Sequence, residues 1–283
     1  MTMKRQLVRG VMVLMVAGAL LGVTMASAQM GGVVEPSGQD GAIDWTKGVV
    51  TATGFGAPPP NAVNAAQARA MAERAAFLVA TRNLLEVVKG IRVDSATLVE
   101  NMIVSSDVIK TEVSGFVQGA QIIKKQMSPD GSVTVVVAMK LNGDFSSTFL
   151  PQSSGGPEVI PMPQGQAPPA VAFTGLIVDA RGTGVRPAVA PKVRNEEGRE
   201  VYGSAFVNRQ YAVEQGMVGY LKDVESAKTN PRVTDRPLLV KALKTDGPNK
   251  TDLVISNSDA QVLHGMKEHL NFLEKARVMV ILD

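Results

Sequence analysis

The clearest pattern of apolar and polar positions is a helical one, and nine alanines fall within residues 61–90. Alanine is the best helix former, and apolar residues recur here every three or four positions. We therefore predict a helix over residues 62–89, with Asn61 as its N-cap and Gly90 after its end. The residues expected to be buried form one stripe, Met71, Ala75, Leu78 and Leu85, with Phe77, Leu84 and Val88 beside it. Such a face usually packs within its own domain, so we expect core packing rather than contact with a partner.

Alternating patterns on both sides of this helix predict strands. Residues 49–54 alternate in strand fashion, and residues 119–127 and 132–141 flank the sequence SPDG. Pro129 and Gly131 suit a tight turn, so these two segments predict a hairpin. A shorter helix is expected to begin near Asp107. The elements together predict a small α+β domain at residues 44–150, preceded by a flexible leader at 29–43.

The second half of the chain begins after a segment rich in proline and glycine. Residues 151–170 carry six prolines and are predicted to be a linker. Residues 171–283 hold further short strand patterns and one helical pattern before a final apolar segment, ARVMVILD. The predicted fold class is α+β. Two small domains are expected, each a mainly antiparallel or mixed sheet packed by one main helix, joined by the Pro/Gly-rich linker.

The first 28 residues have the pattern of an export signal. Three basic residues precede an apolar run that ends in Ala-Ser-Ala, so we predict cleavage between Ala28 and Gln29. A retained membrane anchor is the alternative, but the run falls short of the ~20 apolar residues that a span needs. We expect a periplasmic protein, secreted across the inner membrane, with no stable membrane span after signal removal.

The amino-acid composition limits the kinds of partner that we expect the protein to bind. The full chain has 29 basic and 26 acidic residues, and residues 1–28 hold three of the basic ones and no acidic ones. The remaining chain is neutral, so no basic excess is left for nucleic acid, and we expect none to bind. The chain has no cysteine, which excludes disulfides and a lipidated N-terminal cysteine.

Candidate catalytic and metal-binding residues are few. The two histidines, His264 and His269, are five positions apart, which on a helix separates them by about 140°. This spacing differs from that of zinc proteases, so we predict two surface or rim histidines and no metal site. The sequence GFGAPP lacks the third glycine of a dinucleotide-binding loop. We therefore expect no cofactor, no catalytic residues and no enzymatic activity.

One glycine-rich loop is a candidate ligand site. It follows a predicted strand, and its candidate residues are Asp179, Arg181, Gly182, Gly184 and Arg186. Arginines in such a loop could bind an anionic group. Alternatively, Asp179 and Arg181 could simply pair across the turn.

Residues 44–143 resemble a known family. The motifs are A-x-x-A-A from Ala72, R-N-L-L-E from Arg82, a G-x-x-V turn from Gly90, and V-x-G-x-V-x-G-A from Val113. In this order they resemble the Lpp-twenty lipoprotein family, which is similar to the N-terminal domain of flagellar assembly protein T. The chain differs from the lipoprotein members because it lacks the lipidated cysteine.

The resemblance implies a function through protein contacts, with envelope or flagellar basal-body proteins, or the protein itself, as partners. We therefore predict an exported periplasmic, non-enzymatic structural or interaction protein of the cell envelope, such as a flagellar or outer-membrane assembly accessory. The alternative is a periplasmic ligand-binding module that recognises an anionic envelope component through the glycine-rich arginine loop.

Overall fold

The structure is a computed structural model that describes residues 32–151, 157–160 and 171–283. The predicted signal peptide, with Ala28 and Gln29 at its cleavage site, lies outside the described residues. Most of the predicted linker, residues 152–156 and 161–170, also lies outside them.

The first domain is built on a five-stranded antiparallel sheet. Its strands are β1 (Val34–Ser37), β2 (Gly41–Asp44), β3 (Val49–Gly56), β4 (Gln121–Met127) and β5 (Val133–Lys140). They lie in the order β1-β2-β3-β5-β4. The predicted hairpin is confirmed as β4 and β5, which pair through a register from Gln121↔Ala138 to Met127↔Val133.

The prediction of a flexible leader at residues 29–43 was wrong for its described part. Strand β1 and most of β2 lie in this range, joined by a turn in which Gly38 has a φ of 65°. The hairpin has no apolar alternation of its own that would reveal it. It is held because β2 pairs with β3 along its full length, from Gly41↔Ala52 to Asp44↔Val49.

The long predicted helix is confirmed as α1 (Ala65–Lys89), with its N-cap at Asn64 rather than Asn61. The predicted buried stripe was wrong at Met71 and Leu78, which are 47% and 59% exposed. Leu85 of the stripe packs partly buried against the core, and Leu84 and Val88, expected beside the stripe, are buried. The buried residues of α1 are Ala72, Ala76, Ala80, Leu84, Val87 and Val88.

Glycines in β3 explain which face of α1 is buried. A Cβ on Gly54 would lie 2.1 Å from the carbonyl oxygen of Ala76, and a Cβ on Gly56 would lie 2.1 Å from that of Ala72. The helix backbone therefore rests directly on the backbone of β3. Only alanine-sized side chains fit at the contact, so shape rather than hydrophobicity selects the face.

Three shorter helices complete the first domain: α2 (Val99–Ser105), α3 (Asp107–Gln118) and α4 (Asp144–Phe149). The start predicted near Asp107 is confirmed, and Ser106 caps α3 by accepting a hydrogen bond from the amide of Ile109. Phe116 of α3 meets Phe145 of α4 edge-on, with ring centroids 5.8 Å apart. This aromatic contact joins α4 to the rest of the domain.

The second domain contains two sheets and several short helices. The strands are β6 (Gly175–Asp179), β7 (Val193–Arg194), β8 (Glu200–Tyr202), β9 (Gly219–Leu221), β10 (Pro237–Lys241), β11 (Lys244–Asp246), β12 (Asp252–Val254) and β13 (Val278–Ile281). The helices are α5 (Arg209–Gln215), α6 (Val224–Lys228), α7 (Asn257–His264) and α8 (Lys267–Glu274). One sheet is parallel in the order β10-β6-β13-β9, and the other is mixed in the order β11-β12-β7-β8.

The predicted fold class, α+β with antiparallel and mixed sheets, is confirmed. The second domain differs in detail, because its described residues form two sheets under several short helices instead of one sheet under one main helix. The parallel sheet is buried on both faces. Ile177 and Met279 pack with Ala227 of α6, while Leu176 and Val278 face the larger core.

The two domains contact each other directly. The rings of Trp45 and Tyr220 meet edge-on at a centroid distance of 5.9 Å, and the hydroxyl of Thr46 donates to the carbonyl of Tyr220 at 2.8 Å. The amide of Val189 donates to the carbonyl of Arg92 at 3.0 Å. These contacts are continuous with one hydrophobic core that includes residues of both domains. None of the helices in the described ranges is both long enough and apolar enough to cross a membrane.

Candidate functional site

The candidate glycine-rich loop follows β6 and forms a turn with its own internal ion pair. The Nε and Nη2 of Arg181 donate to the two carboxylate oxygens of Asp179, at 2.8 and 2.6 Å. This pair holds the pKa of Asp179 below its usual range. Gly182 and Gly184 have positive φ values of 78° and 68°, which the turn requires. The amide of Gly182 donates to the carboxylate of Asp283 at 3.0 Å.

Arg186 lies apart from this ion pair and contacts the first domain. Its Nη2 donates to Oε1 of Glu35 in β1 at 2.8 Å. The two arginines of the loop therefore bind different carboxylates instead of converging on one position. The geometry corresponds to the alternative in which Asp179 and Arg181 pair across the turn.

Glu35 is a centre of contact between the domains that the sequence did not reveal, because it lies in the predicted leader. Its carboxylate accepts from Arg186, from the buried guanidinium of Arg92 and from the indole nitrogen of Trp45. Burial alone would raise the pKa of Glu35, but the hydrogen bonds from Arg92 and Arg186 outweigh it and lower the pKa. The carboxylate is thus stabilised in its charged form, linking β1 to the loop after β6.

The prediction of two surface or rim histidines was wrong, because His264 is 4% exposed and His269 is fully buried. Nδ1 of His264 accepts from the amide of Ile160 at 2.9 Å, and its Nε2 lies 2.8 Å from the carbonyl of Val201. Burial lowers the pKa of His264. The spacing of the two histidines in the sequence could not show that other segments of the protein bury them.

His269 has the opposite arrangement of donor and acceptor. Its Nε2 accepts from the amide of Phe173 at 3.1 Å, and its Nδ1 lies 2.9 Å from the carbonyl of Val262. Each imidazole is therefore satisfied as a neutral ring, with the proton on Nε2 in His264 and on Nδ1 in His269. Within the described part of the chain, no three histidine, aspartate or glutamate side chains come together as metal ligands.

The edge strand β4 carries several exposed apolar residues. All seven of its residues are exposed, including Ile122 at 44%, Ile123 at 59% and Met127 at 42%. Ile122 and Met127 pair in register with Val137 and Val133, so they project toward the sheet face that α1 covers. Lys125 projects to the same face and bonds Glu73 of α1 at 2.8 Å.

We define the β4 surface as residues Gln121–Met127. Met71 and Leu78 of α1, which the hydrophobic pattern assigned to the core, are exposed instead. A register shift between Ile122 and Lys124 places a bulge in the strand. Lysines and bulges on an edge strand limit indiscriminate pairing with other chains. The open edge of β4 is therefore charged and bulged, which limits the chains that can pair with it.

A family model matches the part of the chain that forms the parallel sheet and the mixed sheet of the second domain. Residues 175–283 match the family model described as Treponema pallidum Tp0624, second domain. The match begins at the first residue of β6 and includes every strand and helix of the second domain. No curated protein matches the chain. Residues 44–143 lie outside the matched range, so their resemblance to the Lpp-twenty family stays a prediction.

Proposed function

We propose that this chain is an exported, non-enzymatic protein of the cell envelope that binds another polypeptide through the β4 surface. The observation that carries the proposal is the exposure of every residue of β4 at the edge of the first-domain sheet. An edge strand presents amide and carbonyl groups that an extended peptide can pair with. Strand addition would satisfy these groups and cover the apolar side chains beside them.

The apolar residues of the β4 surface support a specific partner. Ile122, Ile123 and Met127 are all more than two-fifths exposed, and Ile122 and Met127 face the same side of the sheet as α1. Exposed apolar residues that lie together commonly mark a protein contact, whereas isolated ones need no explanation. A peptide strand beside β4 would place alternate side chains against this group.

Charge indicates the chemistry of the partner. Residues 119–127 contain Lys124 and Lys125 and no acidic residue. Lys125 is paired with Glu73, whereas Lys124 makes no ion pair with any described residue. An added strand that carries an acidic residue opposite Lys124 would gain a cross-strand pair. We therefore propose an extended segment with apolar and acidic residues as the partner.

The sequence supports the location and the class of function. The pattern of residues 1–28 favours export, and the lack of a nucleophile paired with a histidine favours binding over catalysis. The Lpp-twenty resemblance of the domain that carries β4 favours an envelope protein or a flagellar basal-body protein as the partner. The second domain, similar to that of Treponema pallidum Tp0624, would then position the first domain.

Site-specific photo-crosslinking tests the proposal. A photoreactive residue at Ile123 in cells that export the protein should give a discrete adduct, and peptides from it should map to one extended segment of the partner. The matched control is Leu239, which is 45% exposed on β10, the edge strand of the parallel sheet. It should give no such adduct.

A charge-reversal variant distinguishes a specific contact at β4 from an adduct that forms only because another protein is nearby. Lys124→Glu should reduce the adduct from residue 123 by about fivefold or more, because it places like charges opposite each other. Lys244→Glu, on the exposed edge strand β11, should leave it unchanged. Equal adducts from positions 123 and 239, or an adduct insensitive to Lys124→Glu, would contradict the proposal.

The alternative of anion binding through the glycine-rich loop has less support. Arg181 is engaged by Asp179, and Arg186 is engaged by Glu35. A ligand at this loop would have to displace both carboxylates. For this reason we do not propose it as the function.

A further inference from the structure

A separate cavity in the second domain has a cationic lining. It has a volume of about 360 Å³ and lies between α5, the turn that follows α6, and the segment between α8 and β13. The side chains that matter are Tyr211 and Glu214 of α5, Arg232 of the turn, and Lys275 and Arg277 of the last segment. Three of these side chains are cationic and one is anionic.

Arg232 forms the inner wall of this cavity. Its Nε donates to the carbonyl of Ala276 at 2.8 Å, its Nη1 donates to that of Gln215 at 2.9 Å, and its Nη2 donates to that of Gly216. These carbonyls lie at the C-terminal ends of α5 and α8, where the helix dipole favours a cation. The guanidinium is thereby fixed in position.

The charge of Arg232 has no carboxylate to balance it. Its guanidinium makes no ion pair with any residue of the described ranges. A guanidinium has five N–H donors, so the three hydrogen bonds to carbonyls leave two donors for another acceptor. Buried cations are ordinarily paired, since removal from water disfavours the charged form. Burial accordingly lowers the pKa of Arg232.

The other two cations at the cavity are also unbalanced. Lys275 and Arg277 take part in no ion pair among the residues described. The one acidic residue at the cavity, Glu214, accepts a hydrogen bond from the side chain of Gln210 at 3.0 Å. Three cations and one carboxylate leave a net charge of about +2 at a concave surface, where the field of like charges is concentrated.

We infer that this cavity binds an anionic group, a phosphate or a carboxylate, carried by an envelope component. Arg277, Lys275 and Arg232 all line the cavity, so their cationic groups can act together on the anionic oxygens of one ligand. Arginine can donate two parallel hydrogen bonds to two oxygens of either group. The ring of Tyr211, which is 38% exposed, gives a flat apolar surface for the part of the ligand next to the anion.

This inference goes beyond the proposed function. The cavity belongs to the second domain, whereas the β4 surface belongs to the first, and no residue is common to both. Loss of one site therefore leaves the other intact, and the two experiments fail independently. The alternative for the cavity is structural, with Arg232 capping two helices while Lys275 and Arg277 are only hydrated.

Titration followed by NMR distinguishes these two cases. Three probes are added in turn to the purified protein: inorganic phosphate, glucuronate as a sugar carboxylate, and vesicles that contain phosphatidylglycerol. Vesicles of zwitterionic phosphatidylcholine, which carry no net charge, are the comparison. We expect saturable shifts of the Tyr211, Gly216 and Arg277 amide signals with at least one anionic probe. A response only to phosphatidylglycerol vesicles would assign the anion to a lipid headgroup, and a response to phosphate or glucuronate would assign it to a soluble group.

Matched double variants complete the test. Lys275→Gln with Arg277→Gln should weaken binding about tenfold or more for the responding probe, because it removes two of the cationic donors and leaves Arg232 in place. Arg181→Gln with Arg186→Gln, which alters the glycine-rich loop, should leave binding unchanged. The inference is overturned if no anionic probe gives saturable shifts, if the 275/277 variant binds as well as the parent, or if the loop variant abolishes binding.

Discussion

Gly54 of β3 lies against the backbone of Ala76 in α1, so closely that a Cβ on residue 54 would be 2.1 Å from the Ala76 carbonyl oxygen. The same hypothetical Cβ would lie 2.2 Å from the amide nitrogen of Ala80. Both neighbours are helix backbone, which cannot rotate away as a flexible side chain could. The spacing between α1 and the sheet is therefore set by this glycine.

Gly54→Ala should destabilise the first domain by about 3 kcal/mol, the upper range for an added methyl group in a packed core, because helix and strand must separate to admit it. Urea denaturation measures the change in the free energy of unfolding. The control is Gly115→Ala in α3, where a Cβ meets nothing within 4 Å. That substitution should instead stabilise the protein by about 0.5–1 kcal/mol through helix propensity. Similar losses in both variants would show that the close contact is absent.

Glu35→Gln should weaken the contact between the domains. The carboxylate accepts from Arg92, Arg186 and Trp45, and an amide would leave a buried arginine short of an anionic partner. We expect a loss of about 2 kcal/mol in the free energy of unfolding at pH 7. Glu225→Gln, which removes an exposed pair with Lys228, should cost less than about 1 kcal/mol.

The effect of Glu35 should depend on pH in a defined direction. Because its pKa is lowered in the folded state, its contribution is present above the unfolded pKa of 4.5 and is lost as pH falls through the folded value. The stability curves of the parent and Glu35→Gln should therefore converge below pH 4.5. If the two curves stayed parallel across this range, the charge of the Glu35 carboxylate would contribute nothing to the stability of the protein.

The two histidines should be opposite tautomers at neutral pH. Nitrogen-15 NMR of the imidazole rings should place the proton on Nε2 in His264 and on Nδ1 in His269, since a backbone amide donates to the other nitrogen of each ring. Two rings with the same tautomer would contradict one of these hydrogen bonds.

Acidification should weaken the hydrogen bond between the amide of Ile160 and His264. Burial lowers the pKa of His264 from 6.5, so its contribution to stability is present above pH 6.5 and decreases below it, as the unfolded form takes up the proton first. A protonated Nδ1 can no longer accept from the Ile160 amide. Hydrogen exchange of that amide should therefore speed up as pH falls below 6.5, after correction for intrinsic exchange, and His264→Asn should reduce this dependence. An exchange rate that shows no such rise would contradict the contact.

Elements set by local sequence could be predicted, and contacts between distant segments could not. The helix α1 follows from its alanines, and the β4–β5 hairpin follows from the turn with Pro129 and Gly131. The buried face of α1 depends on Gly54, which lies on another element, so hydrophobic spacing selected Met71 and Leu78 instead.

The same limit applies to the sites. The pairing of Asp179 with Arg181 spans two positions and was one of the two predicted possibilities. The partner of Arg186, by contrast, is Glu35, which is 151 positions away in a segment with no strand pattern. The cationic cavity likewise combines α5, the turn with Arg232 and the segment with Arg277, none of which has a distinctive motif alone.

The position of β13 has a consequence for the order of folding. This strand lies between β6 and β9, so it is central in the parallel sheet although it is formed by residues 278–281. Until those residues have been synthesised, β6 and β9 have no strand between them, and the strand edges that pair with β13 stay unpaired. The central pairing of the parallel sheet can therefore form only after residues 278–281 have been synthesised, so this sheet is completed late in the folding of the second domain.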